Sequence, residues 1–433
     1  MERLVNVTSA TVEKLKNKGA DFGYVCAYDH EKKEFNVEGN KFSLFRTTFN
    51  NSMDICVYKD KKKGSVNINN LSEESIDEAL ENSFSFAKEG NVDDAYAIFP
   101  KQENKNFVKG LKESDSEEFF KRCEELLADI EKKYPKILIC LMVCSFDKTR
   151  CAYENTNGTK YTEEEGFYNI VLEFSAKEGD EVTSLNYFGF PCVSLDKPFI
   201  ENPVVYTKLD ECCKLLGAKP LDGKMEDPTV IFTPDCLSDM LGYFYNSFIG
   251  EESIIDKTCL WYDKLNEKLV DERFTLSIKP LDERILGGQN FTTQGRDTWD
   301  YDVIKNGVLK AFPISLYAAN KSGFEPAPCM SYIPVVEAGD VSIDEIIKNT
   351  KNGIIVGGYS GGHPAANGEF SGIAKSSFLV KDGKVEGPVS EAMISGNFVT
   401  MLNNIVGLSK ELFCDGNKVM PYLACKEIVV AGK

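Results

Sequence analysis

Residues 352–396 read NGIIVGGYSGGHPAANGEFSGIAKSSFLVKDGKVEGPVSEAMISG and hold ten of the chain's 33 glycines in about a tenth of its length. A strand-like NGIIV feeding a glycine-rich loop first suggests a phosphate cradle, because backbone N–H groups at a helix start can hold an anion. The spacing excludes that reading. Neither G-x-G-x-x-G nor G-x-x-x-x-G-K-[ST] is present, and the segment continues as KSSFLVKDGKVEGPV, two strands around the turn Asp382-Gly383 rather than a helix. The glycines therefore read as backbone permissiveness in a β-rich core.

Working outward, 433 residues of which 42% are hydrophobic and 11% aromatic suffice for two domains with cores of their own. No apolar run reaches the roughly 18 residues of a membrane span. The opening MERLVNVTSATVEKLKNKG mixes charge among its apolar residues and has no signal-peptide core, so a cytoplasmic location away from membranes is expected. Fourteen cysteines are scattered without a C-x-x-C, as suits free buried thiols in a reducing compartment. A net charge of −18 repels phosphate backbones and argues against nucleic-acid binding.

The pattern predicts an α+β chain. Residues 8–18 read as a helix and 23–28 as a strand, and 34–37, 41–49 and 52–59 alternate as antiparallel strands parted by turns at Glu38-Gly39-Asn40 and Asn50-Asn51. Residues 72–88 place Ile76, Ala79, Leu80, Phe84 and Ala87 on one helix face. A capping box over Ser114-Asp115-Ser116-Glu117 starts another helix, striped by Phe120, Cys123, Leu127 and Ile130. Residues 137–146 are a buried strand, 151–158 a strand running into a turn, and 167–175 its antiparallel partner. Periodicity is lost over 198–203 and 217–228, which are candidate linkers. The expected division is an N-terminal mixed antiparallel sheet with helices over 1–216 and a β-rich domain over 217–433.

The order of pieces in the opening stretch resembles the TldD/PmbA family, also called modulators of DNA gyrase. The residues that carry the likeness are Asn367-Gly368-Glu369-Phe370-Ser371-Gly372, Val380-Lys381-Asp382-Gly383-Lys384-Val385-Glu386-Gly387-Pro388-Val389 and Ser395-Gly396-Asn397. Upstream, Asp302-Val303-Ile304-Lys305-Asn306-Gly307-Val308-Leu309 matches a family hairpin, and Ser315-Leu316-Tyr317-Ala318-Ala319 a family helix start. The likeness covers nearly the whole chain, more weakly before Pro228.

For the TldD branch, the resemblance implies a zinc peptidase with H-E-x-x-x-H on a helix and a ligand cysteine near the C-terminus. Two such histidines can share a metal if the backbone departs from ideal α geometry, while the glutamate deprotonates a bound water. This chain has two histidines, His30 and His363, too far apart in sequence for that motif. Counting from the strand Thr229-Val230-Ile231-Phe232, the motif's slot is Gly242-Tyr243-Phe244-Tyr245-Asn246-Ser247. Its aromatics suit packing, or a floor for apolar peptide side chains. Cys414 lies near the position of the ligand cysteine but cannot hold zinc alone. A Cys414–His363 enzyme has no supporting spacing. The acidic pieces Glu163-Glu164-Glu165, Glu251-Glu252 and Asp271-Glu272 read as solvated charge rather than metal ligands.

The missing motif makes the PmbA branch, also called TldE, the nearer match. That resemblance implies a subunit without catalytic, metal or cofactor residues of its own, paired with a TldD-type catalytic subunit or with itself, and handling unfolded peptide. Its groove would use Gly357, Gly358, Gly361, Gly362 and His363 for close backbone approach, with Tyr243 and Tyr245 as floor. The alternatives are a stand-alone homodimeric peptide-binding protein and a hydrolase with an unrecognised metal site.

Overall fold

The computed structural model describes residues 1–362 and 367–432. Four long strands, Phe22–Glu38, Lys41–Lys59, Ile137–Asn155 and Lys160–Glu178, form the spine of the N-terminal sheet. The strand order runs Lys62–Ile68, Lys41–Lys59, Phe22–Glu38, Ile137–Asn155, Lys160–Glu178, Lys105–Gly110. All these neighbours are antiparallel except Lys105–Gly110, which runs parallel to Lys160–Glu178.

Two pairs of helices lie on one face of this sheet. Glu2–Asn17 and Glu73–Glu89 bury Leu4, Val12, Leu15, Ile76 and Leu80 against Val25, Ile55 and Val57. Ser116–Lys133 and Pro203–Lys214 bury Cys123, Ile130, Val205 and Leu209 against Met142, Ile170 and Phe174. The opposite face carries Cys26, Cys151, Tyr153 and Tyr161, and Phe291 from the second half of the chain packs onto it.

Several sequence expectations are corrected. Asn50 and Asn51 make no turn, because they pair with His30 and Asp29 inside one continuous strand. The turn at Gly39 and Asn40 does form, both at positive φ (55° and 62°) as a tight hairpin requires. The first helix starts at Glu2, earlier than its pattern suggested. The third is capped by Asp115, whose side chain accepts from Glu118 N, and it buries Phe119 and Leu126 where Phe120 and Leu127 were expected. Both adjacent stripes are apolar, so the sheet selects the phase. Residues 198–203 are not a bare linker: Phe199 and Ile200 are buried.

The second half builds, over the described residues, a mixed sheet of eleven strands and an antiparallel sheet of four. In the large sheet Thr229–Phe232 runs parallel to Asn352–Val356 and antiparallel to Val419–Cys425. The small sheet orders Gly358–Gly361, Glu369–Lys375, Met393–Asn397 and Val429–Ala431. The hairpin around Asp382-Gly383 joins Ser377–Lys381 to Lys384–Ser390 as its turn residues foretell. The architecture is α+β, with a helix-backed antiparallel sheet followed by a β-rich half. No helix among the described residues is long and apolar enough to cross a membrane.

Candidate functional site

The strand Thr229–Phe232 leads directly into the helix Pro234–Tyr243, started by Thr233, whose hydroxyl accepts from Cys236 N, and by Pro234 in the first turn. After Tyr243 the helix widens to i→i+5 bonding over Phe244–Phe248. A side chain at Gly250 would collide with the carbonyl of Asn246, so glycine lets the widened turn close. The slot over Gly242–Ser247 therefore does depart from α geometry.

Its side chains serve packing. Phe244 stacks on Phe248 at 5.4 Å, and both meet Trp261 edge-on at 5.4 and 5.2 Å. Tyr245 is 2% exposed, with its hydroxyl 3.3 Å from both Tyr301 Oη and the Met330 carbonyl. Tyr245 is thus a core residue, placed away from any groove floor. Tyr243 turns the other way and sits edge-on to Tyr359 of the glycine-rich strand at 6.2 Å.

Tyr359 explains two of the glycines. Its ring lies across Gly361 and Gly372, where a Cβ on Gly372 would stand 2.6 Å from Cε2, and its hydroxyl donates to the Ser371 carbonyl at 2.8 Å. Gly357 is pinned between strand and helix, donating to the Lys375 carbonyl at 3.1 Å and accepting from Thr233 Oγ1 at 3.3 Å. Gly358–Gly361 has one neighbour in its sheet, so its outer edge lacks a partner strand among the described residues. No described residue comes within 4 Å of where a side chain on Gly362 would project. His363 lies outside the described residues.

This edge opens on a cleft of about 1550 Å³. One wall is the small sheet, with Ser360, Ile373 and Met393, and the other is the segment from Glu181–Val182 to Asn186–Cys192, both strands paired to Lys160–Glu178, with Leu185 and Tyr187. The floor is charged. Lys208 Nζ lies 2.5 Å from Asp235 and 3.4 Å from Glu211, and Lys418 Nζ lies 2.9 Å from Asp235 and 2.8 Å from Asp415. Burial opposes charge on Asp235, but the two ammonium groups outweigh it and hold the carboxyl below its ordinary range. Asp239, one turn further along the helix, presents its side chain to the cleft. There surrounding protein pushes its carboxyl upward against the partial relief of Lys418.

Residues 224–432 match the PmbA/TldA metallopeptidase C-terminal domain. A metalloprotease of Methanothermobacter thermautotrophicus is 27% identical over 218 residues, 47% of this chain and 46% of its own length. Metalloprotease PmbA of Escherichia coli O157:H7 is 26% identical over 207 residues, again 47% and 46%. The chain spans about half the length of these curated relatives. TldE from Thermococcus kodakarensis shares the fold, with a TM-score of 0.86 at 21% identity over 98% of this chain and all of that one. The second half of the chain belongs to the TldD/PmbA family.

Against that TldD/PmbA background, the slot can be tested as a zinc site. Glycine, tyrosine, phenylalanine, asparagine and serine supply neither imidazole nor carboxylate. Cys414 directs its sulfur to the Arg284 carbonyl at 3.5 Å, and burial pushes its thiol up. These residues do not fit zinc, and no three His, Cys, Asp or Glu among the described residues converge on one point.

The acidic pieces also resolve, with one correction. Strand alternation sends Glu164 to Lys148 (3.5 Å) on the helix-covered face, while Glu163 and Glu165 share the other face with Lys109. Asn290 donates to Glu163 at 2.6 Å. Burial, with Glu163 adding to it, pushes Glu165 up to about 7. The triplet is therefore not simply solvated charge. Glu251 accepts from Ser315 N at 2.8 Å, and Asp271 takes a two-point bond from Arg273.

Sequence reasoning missed Lys208, Asp235, Asp239 and Lys418. Asp235 and Asp239 stand four apart on one helix, a readable stripe. The lysines come from distant segments and leave no local signal.

Proposed function

We propose that this chain is the PmbA/TldE-type member of a TldD/PmbA protease pair, holding extended peptide in its cleft while a TldD-type partner supplies the metal chemistry in the cytoplasm. The observation that carries this reading is the slot over Gly242–Ser247: its widened helix turn is filled by core aromatics and donors unsuited to zinc. The cleft beside it keeps what binding requires. A strand edge offers backbone pairing, and backbone pairing makes few demands on peptide sequence.

The division at 216/217 belongs to the same proposal, because Leu216 and Gly217 line the cleft, which would lie where the two parts meet. Copurification with a subunit bearing H-E-x-x-x-H, followed by cleavage of an unfolded peptide, tests the whole. The pair should cleave and the separate chain should not. Chelator-sensitive activity of this chain alone, with stoichiometric zinc, would overturn the proposal in favour of a hydrolase with its own metal site. Tight self-association without affinity for a TldD-type subunit would replace it with a homodimeric peptide-binding protein.

A further inference from the structure

We propose that the cleft selects an extended segment in which an apolar residue and a basic residue both face into it, the apolar one between Ile373–Met393 and Leu185–Tyr187 and the cation against Asp239. This rests on the peptide reading above and names the class of segment.

The apolar subsite follows from register. Ile373 and Met393 are paired neighbours on adjacent strands, and both are substantially exposed. On the other wall Leu185 and Tyr187 are 58% and 72% exposed. Large side chains left open on two walls of one cleft are matched by an occupant with apolar groups of its own. A strand added at the edge of Gly358–Gly361 would send alternate side chains to opposite faces, so one face of the segment meets this wall at every second residue.

The basic preference follows from charge. Six acidic side chains against three lysines line the cleft. Lys208 and Lys418 are already engaged by Asp235, Glu211 and Asp415. Asp239 has no hydrogen bond or ion pair with another described residue, and the protein around it disfavours its charge. An incoming ammonium or guanidinium removes that penalty and gains a charge-assisted bond in a partly desolvated site. A carboxylate or phosphate there would meet net negative charge. Acidic segments and nucleic acid are thereby disfavoured.

The test is anisotropy of labelled unstructured peptides on the full chain at low and high salt. One peptide carries leucine and lysine two apart, and two others replace the lysine with glutamine or glutamate. The lysine peptide should bind about tenfold more tightly than the glutamate one, with the gap shrinking in high salt. Asp239→Asn should abolish most of that preference without changing the circular dichroism spectrum, and Asp239→Lys should reverse it. Ile373→Ser should weaken all three peptides alike. Equal binding of the lysine and glutamate peptides would overturn the inference while leaving the peptide reading standing. Absence of binding by every peptide would overturn both.

Discussion

A Cβ on Gly372 would stand 2.6 Å from the Tyr359 ring and 2.7 Å from the Ser360 carbonyl, so this glycine is chosen by what passes over it. Gly372→Ala should destabilise the chain by about 2 kcal/mol, the cost of overpacking a closed site, read as a lower urea midpoint. Adding Tyr359→Ala should recover part of that loss, since the ring is one of three obstacles, the others being the Ser360 carbonyl and Gly361 Cα. If the two penalties simply add, the backbone of Ser360 and Gly361 is responsible. The lysines of the cleft floor call for a different experiment. Lys418→Met leaves Asp415 without its ammonium partner and Asp235 with only Lys208, and should cost about 2 kcal/mol near neutral pH. The folded carboxyl of Asp235 sits below its ordinary 3.8, so the stability it contributes is present above that value and lost as pH falls through the lowered one. The gap between wild type and Lys418→Met should therefore narrow below about pH 4. A gap independent of pH would show that the lysine acts through its aliphatic stem.

At the scale of elements, legibility followed the locality of the cause. The hairpins at Asn306-Gly307 and Asp382-Gly383 could be read because their residues themselves adopt positive φ, between 45° and 78°. The Asn50-Asn51 turn was misread because those residues have turn chemistry, yet cross-strand pairing to Asp29 and His30 overrides it. The helix Ser116–Lys133 offers Phe119 and Phe120, Leu126 and Leu127, so the pattern allows two phases and only the sheet beneath decides. Conversion of Phe244–Phe248 to wider bonding had no expected signature, though Gly250 was visible as the residue that permits it. The candidate site was half legible for the same reason. Thr233 reaches Gly357 and Tyr243 reaches Tyr359 through a helix that follows its strand directly, whereas Lys208 and Lys418 come to Asp235 from segments far from it in the chain.

At the scale of the whole molecule, several segments join the two halves, among them Lys208 with Asp235 and Asp93 with Tyr317 and Lys321, and one brings an aromatic contact. Phe291 packs against Tyr161 at 4.9 Å, Tyr153 at 5.5 Å and Phe107 at 6.1 Å. Around it, Tyr153 donates to the Thr293 carbonyl at 3.1 Å, Phe99 N to the Gln294 carbonyl at 2.9 Å, and Lys105 pairs with Asp297. The buried residues on either side otherwise form separate cores, helix-backed clusters before residue 216 and one large cluster after it, with Phe413 of the second half packed at the margin of the first. If the boundary at 216/217 separates two folding units, this aromatic contact supplies much of their coupling. Phe291→Ala should then cost about 3 kcal/mol, the low end for a buried phenylalanine because it sits at a seam rather than inside a core. The calorimetric consequence is specific: one cooperative transition should divide into two, with the polar bonds around the seam too weak to keep the halves melting together. A single transition, shifted but undivided, would mean that the chain unfolds as one unit and that 216/217 is no folding boundary.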